Sequence, residues 1–253
     1  MPKTVLITGA TAGIGKACAH IFAENNYNLI ITGRRNHLLQ VLKSEIEQKY
    51  SVSVLALNFD VQNKKKVSQH LENLPPSHKN IDVLINNAGL SLGLTPIQNG
   101  KTSDWDTMID TNIKGLLYVT KIVANLMIAN KSGHIVNLGS IAGKEVYASG
   151  NVYCATKHAV NALSQAMRID LLPHQIKVTA IHPGAVETEF SLVRFGGDTQ
   201  KAKKVYEGYQ ALSPLDIAQT IWFTVNTPAH VNINDLVIMP TAQASATYWH
   251  KNL

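Results

Sequence analysis

The chain has 253 residues, 45% hydrophobic and 16% charged, a mix that fills a core and excludes a disordered or collagen-like chain. Length alone allows one or two domains at about 150 residues each, but doubly wound α/β folds hold roughly 200–250 residues in one, so a single domain over residues 1–253 is expected. The 23 Lys and Arg outnumber the 17 Asp and Glu for a net charge of +6, compatible with nucleic acid, an acidic carrier or an anionic cofactor and diagnostic of none.

Taken in order, apolar β-rich runs predict strands at residues 5–8, 29–32, 54–57, 83–85, 134–138, 177–181 and 236–239. Most are continuous rather than alternating, as in strands buried on both faces of a parallel sheet. Helical periodicity falls between them, at 15–25, 37–49, 103–130, 151–172 and 214–226. In the second of these, Leu38, Leu39, Leu42 and Ile46 share one stripe. Alternating strands and helices imply right-handed crossovers and an α/β, Rossmann-like, doubly wound parallel sheet of about seven strands flanked by helices. The lysine clusters at 64–66 and 201–204 read as solvated helix faces. The opening residues have neither the basic nor the long apolar region of a signal peptide, and no apolar stretch approaches the roughly 18 residues of a membrane span. Two cysteines, Cys18 and Cys154, suggest a reducing compartment, so a cytoplasmic location is expected.

Ligands of open parallel sheets bind beyond the carboxyl ends of the strands, which directs attention to the residues after each run. The first run leads into Thr8-Gly9-Ala10-Thr11-Ala12-Gly13-Ile14-Gly15 and a helix. Glycines let the backbone approach a pyrophosphate, and the helix N-terminus offers N–H donors and a favourable dipole. The spacing is Gly-x-x-x-Gly-x-Gly. The second run ends in Thr32-Gly33-Arg34-Arg35, where NAD-binding proteins usually carry an acidic residue for the ribose 2′-hydroxyl. Guanidinium groups suit a 2′-phosphate, so the expected cofactor is NADP; the competing reading is two surface arginines at a turn. Asp60, after the third run, can accept from an adenine amino group or merely cap a helix. Small residues in Asn86-Asn87-Ala88-Gly89 allow close passage of a ligand.

Tyr153 and Lys157 stand at i and i+4 and share a helix face. A phenol titrates at about 10; a neighbouring ammonium and an oxidised nicotinamide favour phenolate and bring it toward a working pH. Ser140, after the fifth run, can donate to a substrate oxygen. Its flanking Leu138 and Ala142 exclude the Gly-x-Ser-x-Gly motif of a serine hydrolase. Asn112, in the predicted 103–130 helix, can hold a water that joins Lys157 to solvent.

Thr8–Gly15, Asn86–Gly89, Asn112, Ser140, Tyr153-x-x-x-Lys157 and Pro183-Gly184 together resemble the short-chain dehydrogenase/reductase family over essentially the whole chain. The resemblance implies a catalytic tetrad: Tyr153 as general acid or base, Ser140 steadying the substrate oxygen, Lys157 on the nicotinamide ribose, and Asn112 completing a proton relay. It also implies cofactor contacts from Gly9, Thr11, Ala12, Gly13, Ile14, Gly15, Arg34, Arg35, Asp60, Val61, Asn87, Ala88, Gly89, Tyr153, Lys157, Pro183, Gly184, Val186 and Thr188. Segments around Thr32-Gly-Arg-Arg, Met108–Asn112, Gly150–Tyr153 and Ala229–Asn234 are similar to a narrower group, the NADP-dependent 3-hydroxy acid (serine/allo-threonine) dehydrogenases. That group implies hydride transfer at the β-hydroxyl of a small acid and a homotetramer. The alternatives are a 3-oxoacyl-carrier-protein reductase, a general carbonyl reductase and, of another class, a non-catalytic NADP-binding sensor.

Within this reading the substrate-binding residues are Ser140, Tyr153 and Arg194, the last in the segment after Pro183-Gly184, where it can grip a substrate carboxylate; a surface or interface arginine is the competing reading. The i, i+4 pair Cys154 and His158 reads as a packed thiol beside a surface histidine. No HExxH or Cys/His spacing suggests a metal. Aromatic residues are 6% of the chain and do not interleave with the lysine clusters, so no nucleic-acid partner is expected. The sequon Asn130-Lys131-Ser132 reads as chance. The tail, 241–253, carries Tyr248 and Trp249 and can cover either a neighbour or its own subunit.

Overall fold

The computed structural model describes residues 2–252. Its strands are β1 (Thr4–Ile7), β2 (Asn28–Gly33), β3 (Val54–Asn58), β4 (Val83–Asn86), β5 (His134–Leu138), β6 (Lys177–Pro183) and β7 (Asp235–Ile238). They form one parallel sheet in the order β3-β2-β1-β4-β5-β6-β7. Each strand falls within about two residues of its sequence expectation. The helices are α1 (Gly13–Glu24), α2 (Asn36–Lys49), α3 (Lys64–Leu71), α4 (Thr102–Ile109), α5 (Leu116–Asn130), α6 (Asn151–Asp170), α7 (Glu189–Arg194), α8 (Thr199–Lys204) and α9 (Pro214–Val225).

Successive strand side chains point to opposite faces, so the continuous apolar runs feed two cores. Val5, Ile7, Leu29 and Ile31 pack with Phe22 of α1, Leu39 of α2 and Ile217 and Ile221 of α9. Leu6, Ile30 and Leu84 pack with Val67 of α3, Val119 and Val123 of α5 and Val160 of α6. At the edge, β7 alternates exposed and half-buried residues. The lysine clusters lie on exposed turns of α3 and α8, as expected.

Two expectations change. The predicted 103–130 helix is interrupted by a π turn over Asp110–Gly115. Asn112 in that turn is anchored to neighbouring backbone, and a methyl on Gly115 would press on Val61 at 2.7 Å. A continuous α-helix would rotate both away from these partners. In addition, the helical run Thr102–Asn130 is apolar enough by length and composition to cross a membrane. Val119, Val123 and Met127 within it are fully buried against the sheet, so its apolar face serves the core.

The chain winds outward from β1 to β3, then returns to place β4 on the other side of β1. That reversal opens a crevice at the carboxyl ends of β1 and β4.

Candidate active site

At this crevice the backbone turns through Gly9 and Gly13, with φ of +66° and +52°, values glycine adopts without the strain of a side chain. Gly15 permits close helix–strand contact: a methyl there would lie 2.6 Å from Asn87 Nδ2 and overlap the Gly9 carbonyl. The Thr8 hydroxyl accepts the N–H groups of Asn87 and Ala88 at 3.0 Å each, and Asn87 Nδ2 donates to the carbonyls of Thr8 and Gly9 at 2.9 and 3.0 Å. The glycine loop is thereby fastened to the end of β4. Ala12 at the N-cap of α1 offers no side-chain acceptor, so the first-turn N–H groups keep their capacity for an anion.

The two arginines after β2 stand at one end of the same cleft. Arg34 Nη1 lies 3.6 Å from Asp60 Oδ2. Arg35 donates to Thr11 Oγ1 at 3.0 Å and to Glu189 Oε2 at 3.0 Å. Asp60 Oδ1 accepts the Gln62 N–H at 3.0 Å in a turn and the residue lines the cleft; the helix cap weighed for it is supplied instead by Asn63, whose Oδ1 accepts the Lys66 N–H at 3.0 Å. The acidic residue usual after the second strand of NAD-binding proteins is replaced by two guanidiniums and a Cβ-free Gly33, where a methyl would meet Thr11 at 2.9 Å. That end fits a phosphorylated ribose.

At the other end, Tyr153 and Lys157 project from the first turns of α6, both buried. Lys157 Nζ donates to the Leu138 carbonyl at 2.7 Å and lies 6.0 Å from the Tyr153 ring centre. Burial lowers Lys157 to about 8. The expected lowering of Tyr153 is not found here: burial raises its phenol, while Arg194 and a hydrogen bond with Ser140 oppose the rise. Desolvation outweighs the charge of Arg194. Ser140 Oγ accepts the Ala142 N–H at 3.1 Å, which leaves its O–H to donate.

Asn112 is committed differently from the expectation. Its Oδ1 accepts the Leu90 N–H at 2.9 Å, and its Nδ2 donates to the Leu90 carbonyl at 2.8 Å and to Thr156 Oγ1 at 3.0 Å. Thr156 in turn donates to the Tyr153 carbonyl at 2.8 Å. Both amide hydrogens are thus used within the protein, and the side chain ties the loop after β4 to the helix that carries Tyr153.

Arg194, at the end of α7, donates through Nη2 to the Tyr147 hydroxyl at 2.7 Å and through Nε to Ser91 Oγ at 3.0 Å. Its guanidinium carbon sits 5.1 Å from the Tyr153 ring centre and 5.2 Å from that of Phe190. Of the site residues expected from sequence, all but Gly15 and Asn112 line a single cleft of about 530 Å³. Those two act from behind its wall. Sequence reasoning missed Tyr147, Glu189, Phe190, Tyr206, Gln243 and Trp249, which also line it; they come from segments without periodicity, and only the concentration of aromatics after Ser140 and Pro183 hinted at them. The tail folds over its own cleft, with Gln243 Oε1 accepting the Ala185 N–H at 2.9 Å and Trp249 packed on Tyr209 at 4.8 Å. Leu253, the last residue of that tail, lies outside the described residues. His158 Nδ1 meets the Cys154 carbonyl rather than its thiol, and no cluster of three metal-ligating side chains occurs among the described residues.

Comparison with known proteins agrees with this geometry. The short chain dehydrogenase family matches residues 3–194. The NADP-dependent 3-hydroxy acid dehydrogenase YdfG of Salmonella typhi is 48% identical over 243 residues, 96% of each chain. Sulfoacetaldehyde reductase 2 of Chromohalobacter salexigens is 43% identical over 249 residues, 98% of each chain. A solved structure, the closed form of serine dehydrogenase complexed with NADP+, superposes with a TM-score of 0.92 at 45% identity, covering 99% of this chain and 100% of that one. The chain belongs to the short chain dehydrogenase family.

Proposed function

We propose that this chain is an NADP(H)-dependent oxidoreductase acting on the hydroxyl of a small 3-hydroxy acid such as serine or allo-threonine. The observation that carries the substrate class is the Arg194 guanidinium 5.1 Å from the Tyr153 ring, hydrogen-bonded to Tyr147. An anion-binding group therefore stands about one small acid's length from the proton-transfer group. The relatives named above act, by their names, on 3-hydroxy acids, on serine or on sulfoacetaldehyde, whose common chemical feature is an acidic head near the reacting carbon.

NADP supplies the hydride acceptor when bound, with its pyrophosphate on the α1 N-terminus, its 2′-phosphate on Arg34 and Arg35, and its nicotinamide ribose on Lys157. Arg194 and Tyr147 orient the substrate through its carboxylate. Ser140 donates to the substrate oxygen. Tyr153 would remove the hydroxyl proton during oxidation and return it during reduction, with Arg194 and the Ser140 hydrogen bond opposing the burial that raises its phenol. Asn112 fixes the Leu90 backbone and, through Thr156, that of Tyr153. A carrier-bound 3-oxoacyl thioester has no carboxylate for Arg194, and a non-catalytic sensor has no use for the Ser140–Tyr153–Lys157 set.

Exposed apolar side chains lie on both faces of the sheet, Leu117 on α5 and Phe223 on α9. Two such faces are what a homotetramer with two kinds of isologous interface requires. The free buried thiols of Cys18 and Cys154 suit a cytoplasmic enzyme. The decisive experiment is Tyr153→Phe, assayed on serine, allo-threonine, neutral alcohols and isethionate with NADP and NAD. Turnover falls at least about a thousandfold while NADPH binding, followed by fluorescence, is retained; persistent reduction of NADP by the variant would remove Tyr153 from the mechanism.

A further inference from the structure

Behind Ser140 lies a buried ionisable group that the mechanism above does not use. His182, on β6, is fully buried. Its Nδ1 is 3.1 Å from the Ser140 carbonyl, and its Nε2 lies 3.3 Å from Asp235 Oδ2 at the start of β7 without hydrogen-bond geometry. The same Asp235 oxygen accepts from Lys144 Nζ at 2.7 Å, and Lys144 also donates to Asn161 Oδ1 at 3.0 Å. The ring is built closely against the loop, since a methyl on Gly139 would overlap it.

We propose that His182 is a positioning residue for Ser140, its Nδ1–H fixing the Ser140 backbone and the Asp235–Lys144 pair fixing the ring. This inference rests on the proposed role of Ser140 as donor to the substrate oxygen. A backbone carbonyl only accepts hydrogen bonds, so a ring nitrogen that serves it must carry a proton. The Ser140 carbonyl also receives the Gly143 N–H at 2.8 Å, and the two donors together leave its peptide plane little freedom. That plane sets where the Ser140 hydroxyl points. On the far side Nε2 makes no hydrogen bond, so a neutral ring with its single proton on Nδ1 serves the Ser140 carbonyl, and Asp235 acts on the ring through its charge. Burial lowers the ring's pKa most and Lys144 and Lys157 add to that, while Asp235 and the Ser140 carbonyl oppose it, and the net lowering favours the neutral ring; Arg168 stands beside Asp235. The arrangement follows the general pattern in which partners behind a reacting group hold it to a few tenths of an ångström.

Histidine variants separate the two contacts. An asparagine amide overlies Nδ1 and preserves donation to Ser140, whereas a glutamine amide reaches toward Nε2 and preserves only the Asp235 side. His182→Gln lowers kcat about tenfold with KM for NADPH changed less than about twofold, while His182→Asn keeps at least about half of the wild-type kcat. Ser140→Ala, run beside them, loses activity. Wild-type kcat in His182→Gln with activity lost in Ser140→Ala overturns the role of His182 alone. Wild-type kcat in Ser140→Ala overturns the Ser140 reading and this inference with it. Equal losses in both His182 variants, following their melting temperatures, assign the histidine to stability and also overturn the proposal. Should the variants not fold, nitrogen-15 histidine NMR of the wild-type protein decides: a slowly exchanging Nδ1–H is expected, and a ring whose single proton is on Nε2 refutes the inference.

Discussion

Burying Lys157 has a cost in stability that the site accepts for chemistry. Unfolded, a lysine titrates near 10.5, while in the folded chain burial brings Lys157 to about 8. Between those values the unfolded chain holds a proton that the folded one has released, so stability rises with pH through that window, and below about 8 the charged form opposes folding. Lys157→Met removes this titration. Its unfolding free energy relative to wild type therefore falls by about 2 kcal/mol between about pH 7 and about pH 9.5, read by urea denaturation, while turnover is lost at both. The carbonyl of Leu138 left without its donor shifts both points alike, and an identical difference at the two pH values would contradict the buried charge. Arg194 gives the matching test on substrate. Hydrogen bonds to a charged group contribute about 1.5–3 kcal/mol, so Arg194→Ala raises KM for serine by roughly 10–100-fold and leaves neutral alcohols unchanged; a uniform change across both substrate sets would place the arginine in structure only. At this scale the glycine loop, the two arginines, Ser140 and the Tyr153–Lys157 pair were legible because each directly follows a recognisable strand or shares a helix face. Tyr147 and Glu189 were not, since their partners Arg194 and Arg35 lie 47 and 154 residues away.

The elements were legible where one physical pattern governs them. Continuous β-branched runs ended by glycine or asparagine marked the strands, and 3.6-residue periodicity marked α1, α2, α6 and α9. The π turn at Asp110–Gly115 escaped because it leaves hydrophobic periodicity almost intact on either side; its cause is tertiary, the anchoring of Asn112 on Leu90 and of Gly115 under Val61. The six-residue α7 escaped because it is too short to carry a period and is started by the Thr188 cap on the Phe190 N–H. In contrast, α9 announces itself twice. Ser213 Oγ accepts the Asp216 N–H at 3.2 Å, Asp216 Oδ2 accepts the Ser213 N–H at 2.7 Å, and Pro214 occupies the first turn. Beyond that box the helix docks on α1 through Trp222 against Phe22, ring centres 5.2 Å apart. Losing such a cap costs about 1 kcal/mol, so Ser213→Ala lowers the melting temperature by about 2–4 °C for a chain of this size. Activity at temperatures well below the transition is unchanged, because α9 sends no side chain into the cleft.

At the scale of the molecule, the net charge of +6 has acquired a local meaning only at Arg34, Arg35, Lys157 and Arg194, all in the cleft; the lysines of α3 and α8 face solvent. The apolar surface is more informative. Phe223 is 62% exposed on α9, and a large apolar group left in solvent invites association. The proposed tetramer uses this face for one interface and the α5 face, on the other side of the sheet, for the second. Phe223→Glu places a carboxylate in the first interface without touching the core, since Ile217, Ala218 and Ile221 of the same helix point inward and are fully buried. A desolvated, unpaired charge is strongly unfavourable in an interface, so light scattering after gel filtration shows the mass falling from four subunits to two. The melting transition of each subunit persists, and NADPH still binds, because no residue of α9 lines the cleft. A four-subunit mass for Phe223→Glu would exclude the α9 face from the assembly, and a one-subunit mass for the wild type would exclude the tetramer itself.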